Sequence, residues 1–149
     1  MHGLYFKIAL DLFAACGAVF ALWKGGAAER ATAFVIIINI LIAEAAYPLG
    51  PATLEKINFV SDGLTAAVIL AITIRYGALW MGGVMLFYAA QFSLHSFYIV
   101  TERHTDNLHA LINNIDFQAI VWCLIMGTAV AWRRRVRAKV VAGAGSTAT

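Results

Sequence analysis

Apolar and polar positions along this 149-residue chain change over on a long wavelength. Blocks of roughly 17–25 mostly apolar residues, the length a helix needs to cross hydrocarbon, are separated by short polar breaks. Five blocks stand out, at 4–23, 31–47, 57–74, 78–100 and 108–132. Between them lie a Gly25-Gly26 step, a stretch holding both prolines (Pro48 and Pro51), a short break at 75–77 and a polar loop at 101–107. This pattern predicts an all-α fold, a polytopic transmembrane bundle of five membrane-spanning helices within residues 1–139. Short connections make consecutive helices antiparallel neighbours, and the third and fourth should close on a tight hairpin around Arg75. Residues 140–149 are small, uncharged and Gly/Ser/Thr-bearing, which predicts a flexible C-terminal tail.

Orientation follows from the basic residues beside the block ends. Arg133, Arg134, Arg135, Arg137 and Lys139 follow the last block directly. Placing this run in the cytoplasm puts Lys24, Arg30 and Arg75 there too. Lys56 and Arg103 then fall outside, each beside an acid, Glu55 or Glu102. The aromatic residues agree: Trp23, Tyr76, Trp80 and Trp132 fall at the inner boundary, Tyr5, Tyr47 and Tyr98 at the outer one. The expected topology is N-terminus outside and C-terminus cytoplasmic.

Composition sharpens the class. The chain is 62% hydrophobic and 13% charged, about half the charged fraction of a soluble domain. Its length leaves no room for a separate soluble domain beside the bundle. The net charge of +3 is concentrated in the last basic run, so the predicted partner there is the anionic head groups of the cytoplasmic leaflet; nucleic acid is not. A homo-oligomer or a larger membrane complex is compatible with the pattern, and a bacterial inner (plasma) membrane is the expected location. Cys16 and Cys123 sit inside apolar blocks without metal-type spacing. Met1-His2-Gly3 lacks the basic start of a cleaved signal, and Asp11 interrupts the first apolar block, so that block reads as retained.

The polar residues inside the blocks then become the centre of interest. An ionised side chain at mid-bilayer costs about 2.5–3.5 kcal/mol on insertion scales, so several of them must face one another or water. Counted at 1.5 Å per residue from the outer boundary, Asp11, Glu44, Asp62, His95 and Asn113 lie roughly 6–11 Å deep, and Gln91 and Asp116 roughly 12–14 Å. The inner halves of the first, third and fifth blocks are apolar and small. Spacing adds a second argument: Lys7 and Asp11, Gln91 and His95, the set Asn58, Asp62 and Thr65, and the set His109, Asn113 and Asp116 each share a helix face. All five helices can therefore aim polar groups into one outward-facing cavity, closed below by an apolar plug.

Asp62, Glu44, His95 and Asp116 are the candidates to bind a cation, a proton or a small polar ligand, in transport or sensing. Asn113, Gln91 and Asp11 would orient them. Carboxylate and imidazole donors also suit a divalent metal, with the same four residues as candidate ligands, although no close-spaced ligand motif exists. Haem is not expected, because only His95 and His109 could approach it, and only near the outer boundary. Two other function classes remain open: a structural subunit or holin-like pore-former using the polar layer for helix association, and a membrane-embedded metalloenzyme. No nucleophile–base pair, phosphate loop or dinucleotide fingerprint is present, which leans away from an enzyme. Three further expectations are that the Thr101–Asn107 loop, with Glu102, Arg103, His104 and Asp106, is a solvated turn or a pH-sensitive lid over the cavity, that Gly17, Gly82, Gly83 and Gly127 serve close helix packing, and that Tyr88 and Trp122 are core.

Overall fold

A computed structural model describes the backbone of residues 2–103 and 106–146, with side chains except at 2–4, 6, 7, 51 and 143–146. Among the described residues there is helix and no strand. The helices are α1 (His2–Lys24), α2 (Ala27–Ala46), α3 (Pro51–Tyr76), α4 (Leu79–Val100) and α5 (Asn107–Ser146). Among the described residues, four stretches are long and apolar enough to cross a membrane: Ala27–Leu49, Ala52–Tyr76, Leu79–Val100 and Asn107–Ala142. These mark an integral membrane protein. α1, at 23 residues, is as long as α4.

The breaks follow backbone chemistry. A short 3-10 turn, Tyr47–Leu49, ends in Gly50 at φ 89°, a conformation that suits glycine. Pro51 then opens α3 at its first position, where no N–H is needed. α3 therefore starts six residues before the apolar block at Ile57, in sequence that reads as loop by polarity. Gly77 at φ 60° caps α3, its N–H bonded to the Thr73 carbonyl at 2.8 Å, and Ala78 alone separates it from α4. At the start of α2 the Glu29 carboxylate accepts the Gly26 N–H at 2.7 Å. α5 is 40 residues long, about 60 Å at the helical rise and twice the thickness of hydrocarbon. Its backbone is helical through Ser146, where the sequence predicted a flexible tail from Val140. Arg and Lys are good helix formers, so charge ends the apolar block without ending the helix.

Consecutive helices pack side by side, and α1 closes on α5, giving a ring of five. Small residues set the spacing. A Cβ on Gly17 would lie 2.9 Å from Val121 Cγ1, one on Gly83 2.9 Å from Cys123 Sγ, and one on Gly127 2.4 Å from the Trp80 ring. The α1–α5 and α4–α5 seams therefore use glycine where no side chain fits; Gly82 faces open space. α4 buries Met81, Val84, Tyr88, Gln91, His95 and Tyr98, spaced alternately three and four apart along one stripe. Trp122, expected in the core, instead lies outside it, half-exposed against Phe13 at 5.1 Å between ring centroids.

The core fills one half of the ring. Ala18, Ala21, Ala33, Ile36, Ile69, Val84, Tyr88, Ile120 and Leu124 form one buried cluster. It lies toward the end where α1 meets α2 and α3 meets α4. The outward surface is apolar as well, with Leu64, Leu79 and Leu86 among many exposed large side chains, as a lipid-facing surface requires. At this end the Arg135 guanidinium donates to the Lys24 carbonyl, tying the extended part of α5 to the C-terminus of α1. The Lys24 ammonium lies 3.8 Å from the centre of the Trp23 ring and 5.4 Å from that of Trp132.

Candidate functional site

At the opposite end, between the Tyr47–Gly50 turn and the 101–106 loop, the ring opens into a cavity of about 450 Å³. All five helices line it: Leu10 and Asp11 of α1; Asn39, Ile40, Ala43 and Glu44 of α2, with Tyr47 after it; Leu54, Glu55, Asn58 and Asp62 of α3; Gln91 and His95 of α4; and His109, Ala110, Asn113, Asn114, Phe117 and Gln118 of α5. Four of these are carboxylates, and among the described residues no Lys or Arg joins them. A shallower hollow of about 390 Å³ on α4 has Ser93, Ser96 and Thr101 in its wall. Their hydroxyls bond back to carbonyls of their own helix at 2.7–2.8 Å, so that hollow offers a ligand little.

A file of buried groups runs up one wall of the cavity. The Asn39 amide, on α2, donates across to α3 and has three acceptors within reach: Asp62 Oδ1 and Ser61 Oγ, both at 3.0 Å, and Thr65 Oγ1 at 3.2 Å. It carries two N–H hydrogens for these three acceptors. Asp62 is 4% exposed, and its other oxygen lies 3.2 Å from Nε2 of His95, which is 1% exposed. The contact has ion-pair distance without hydrogen-bond alignment, since Nε2 finds no well-directed partner. His95 Nδ1 lies 3.3 Å from His109 Nε2 on α5. Tyr98 stacks edge-on against His109, with centroids 4.6 Å apart.

The inventory of hydrogens in this file gives its chemistry. A carboxylate oxygen and an imidazole nitrogen at 3.2 Å are both acceptors unless one of them holds a proton. The same is true of the two imidazole nitrogens at 3.3 Å. The two imidazoles are placed to share one hydrogen, whereas the Asp62–His95 contact has the distance of an ion pair without the alignment of a hydrogen bond.

Around the mouth, Asp106 accepts the Tyr98 hydroxyl at 2.9 Å and the His109 N–H at 2.8 Å, both on Oδ1. It thus caps α5. These bonds, the His109 amide first and the Tyr98 hydroxyl second, hold its carboxyl below the ordinary aspartate range. The loop read as a solvated turn therefore contains the group that anchors the helix carrying His109. His104, the other element of a pH-sensitive lid, lies outside the described residues.

The structure places Asp11, Glu44, Asp62, Gln91, His95 and Asn113 on the cavity wall. Gln91 and Asn113 join directly, Nε2 to Oδ1 at 2.8 Å. Asp116 departs from this set. It is buried, leaves Oδ2 without a hydrogen-bond partner, and does not line the cavity. The reason is rotational. At 3.6 residues per turn, the α5 residues that line the cavity centre on a direction about 110° from Asp116. Asp116 instead shares a face with His109, Cys123 and Gly127, which contact α4. It belongs to the α4–α5 seam.

The four candidate metal ligands therefore do not converge, and no group of three His, Cys, Asp or Glu placed to hold a metal ion occurs among the described residues. Lys7, the expected partner of Asp11, has no described side chain.

Depth alone pointed to the layer, but it undervalued Asn39, His109 and Glu55. Asn39 stands in a run of isoleucines. His109 and His95 are 14 residues apart across a hairpin, a spacing with no signature of its own. No protein-family model matches the chain, nor does any curated protein or solved structure.

Proposed function

We propose that this is a five-span protein of a bacterial inner membrane, N-terminus outside and C-terminus cytoplasmic, that binds a small cation or proton in a cavity open to the outer side. The topology is supported by charge. Lys24, Arg30, Arg75 and the run from Arg133 to Lys139 all belong to the helix ends remote from the cavity, as cytoplasmic ends require. α1 supplies the fifth crossing by its length and its packing on α2 and α5. Residues 133–139 are all exposed and would meet anionic head groups.

The observation that carries the functional reading is the buried Asp62–His95–His109 file in a cavity whose wall, among the described residues, holds four carboxylates and no Lys or Arg. Such a wall repels anions and concentrates cations. Intramembrane ionisable groups are retained at a cost and mark ligand or proton sites. Asp62 is the point of exchange: a cation at Oδ2 competes with His95 for that oxygen, so cation binding and protonation of His95 oppose each other. The buried apolar half of the ring argues against a permanently open pore.

Thermal unfolding of the purified full chain tests the reading. A ligand at 100 times its dissociation constant stabilises by about 2.7 kcal/mol, a shift of several degrees. Chlorides of sodium, potassium, tetramethylammonium and n-butylammonium would be compared with sodium formate and butyrate. At least one cation should raise Tm beyond its sodium or anion control, and a Glu44→Gln, Asp62→Asn variant should lose that gain. No response to any cation contradicts it, as does a response that follows the anion when the cation is held constant.

A further inference from the structure

We infer that His109 is a built-in cation that closes the site in acid: on gaining a proton its imidazolium leaves His95, turns into the cavity and competes with the bound cation for the wall carboxylates. This adds regulation to the cation-binding reading and rests on it. The hydrogen count between the two rings forces the separation. His95 Nδ1 and His109 Nε2 lie 3.3 Å apart. A neutral imidazole has one donor nitrogen and one acceptor, whereas an imidazolium has two donors and no acceptor. The first proton fits the contact. With it on His95, that ring pairs with Asp62 Oδ2 at 3.2 Å, and its Nδ1–H is still accepted by His109. A second proton, on His109, sets two N–H groups and two positive charges against each other. One ring must move.

His109 is the ring with room to turn. His95 is 1% exposed and held by its charge on Asp62. The ring of His109 has His95 on one side and Tyr98 on another, and it also borders the cavity of about 450 Å³. Its backbone stays in place, because Asp106 accepts its N–H at 2.8 Å, so the ring moves about its side-chain bonds alone. The groups facing it from each helix set the direction. α1 contributes Asp11, α2 Glu44, and α3 both Glu55 and Asp62, all on the cavity wall. Glu55 and Asp106 are within electrostatic reach of His109 where it now sits, and Arg103, in the preceding loop, acts on Asp106. Repulsion from a charged His95 and attraction to the wall carboxylates both drive the imidazolium inward, to the place a bound cation would occupy.

The test is calorimetric titration of the full chain in nanodiscs with potassium and n-butylammonium chlorides, from about pH 8 to about pH 5, across the histidine range. Each proton that opposes a cation lowers its affinity about tenfold per pH unit. Protonation of His95 opposes binding in the wild type and in His109→Gln alike, since the glutamine carbonyl can still accept from His95. Only the wild type has the second opposing proton. The expected result is equal affinity at about pH 8 and, at about pH 5, binding about tenfold weaker in the wild type than in His109→Gln. The same pH dependence in both overturns the inference and leaves the cation site standing. Binding of neither cation at any pH overturns both. Should His109→Gln fold poorly, NMR of the wild type with nitrogen-labelled histidine decides. The coupling between His95 Nδ1 and His109 Nε2 should vanish as His109 gains its second ring proton; a coupling that persists, or a His109 ring that stays neutral throughout, overturns the inference.

Discussion

Replacing Asn39 with leucine probes the link that holds the polar layer together. The Asn39 amide is 7% exposed and reaches three acceptors on α3 at 3.0–3.2 Å. Its two hydrogens sustain two bonds at once. Interhelical hydrogen bonds in membranes average about 0.6 kcal/mol and reach about 1.7, so the substitution should cost about 1–3 kcal/mol. The loss exceeds any gain from leucine packing, because buried Asp62 Oδ1 loses the N–H that Asn39 donates to it across the α2–α3 seam. Unfolding free energies from SDS titration in mixed micelles, followed by circular dichroism, measure it. A double-mutant cycle with Thr65→Val isolates the pairwise part, expected at about 0.5 kcal/mol or more. Equal or greater stability of Asn39→Leu together with zero coupling would refute the reasoning: Asn39 would then be solvated by cavity water and would not join α2 to α3.

Two other perturbations follow from the packing and the cap. Gly127→Ala puts a Cβ 2.4 Å from the inner atoms of the Trp80 ring, which cannot swing clear as a side-chain tip could; it should destabilise by about 1–3 kcal/mol, whereas Gly82→Ala, facing open space, should cost nothing in the same unfolding assay. The Asp106 carboxyl is held below its ordinary range by the His109 amide and the Tyr98 hydroxyl. Its cap is therefore fully present above the usual aspartate pKa and is lost as pH falls through the lowered value. Amide exchange in the first turn of α5 should quicken, relative to the rest of the helix, on acidification in the wild type; in Asp106→Asn it should keep a constant ratio.

The architecture was legible wherever hydrophobicity alone decides it. Helix existence follows from apolar length, and hairpin order from short connections. Element ends were not legible, because backbone chemistry sets them: Pro51 starts α3 in polar sequence, and the arginines after Trp132 continue α5. The site divides in the same way. Depth is a sum over residues and can be read from the chain, so Asp62, His95 and Gln91 could be set at similar heights. Rotation about the helix axis depends on which neighbours each helix meets. Asp116 sits at a suitable depth and faces the α4 seam, and Trp122 lies on an outward face of α5. The His95–His109 contact needs the 101–106 loop to bring two helix ends together, and the cap that does so, Asp106, sits in a segment that looks like ordinary solvated turn.

Access to the cavity is the property from which everything else derives, and cysteine labelling measures it directly. In a background with Cys16 and Cys123 replaced, single cysteines at Asn58 and Asn114 on the cavity wall would be compared with cysteines at the exposed Leu64 and Leu86. Membrane-impermeant thiol reagents, one cationic and one anionic, would be applied to either face of sealed vesicles. The account predicts labelling of positions 58 and 114 from the outer face, faster with the cationic reagent, and none at 64 or 86 from either face. Silence at 58 and 114, or labelling there only from the cytoplasmic face, would contradict it.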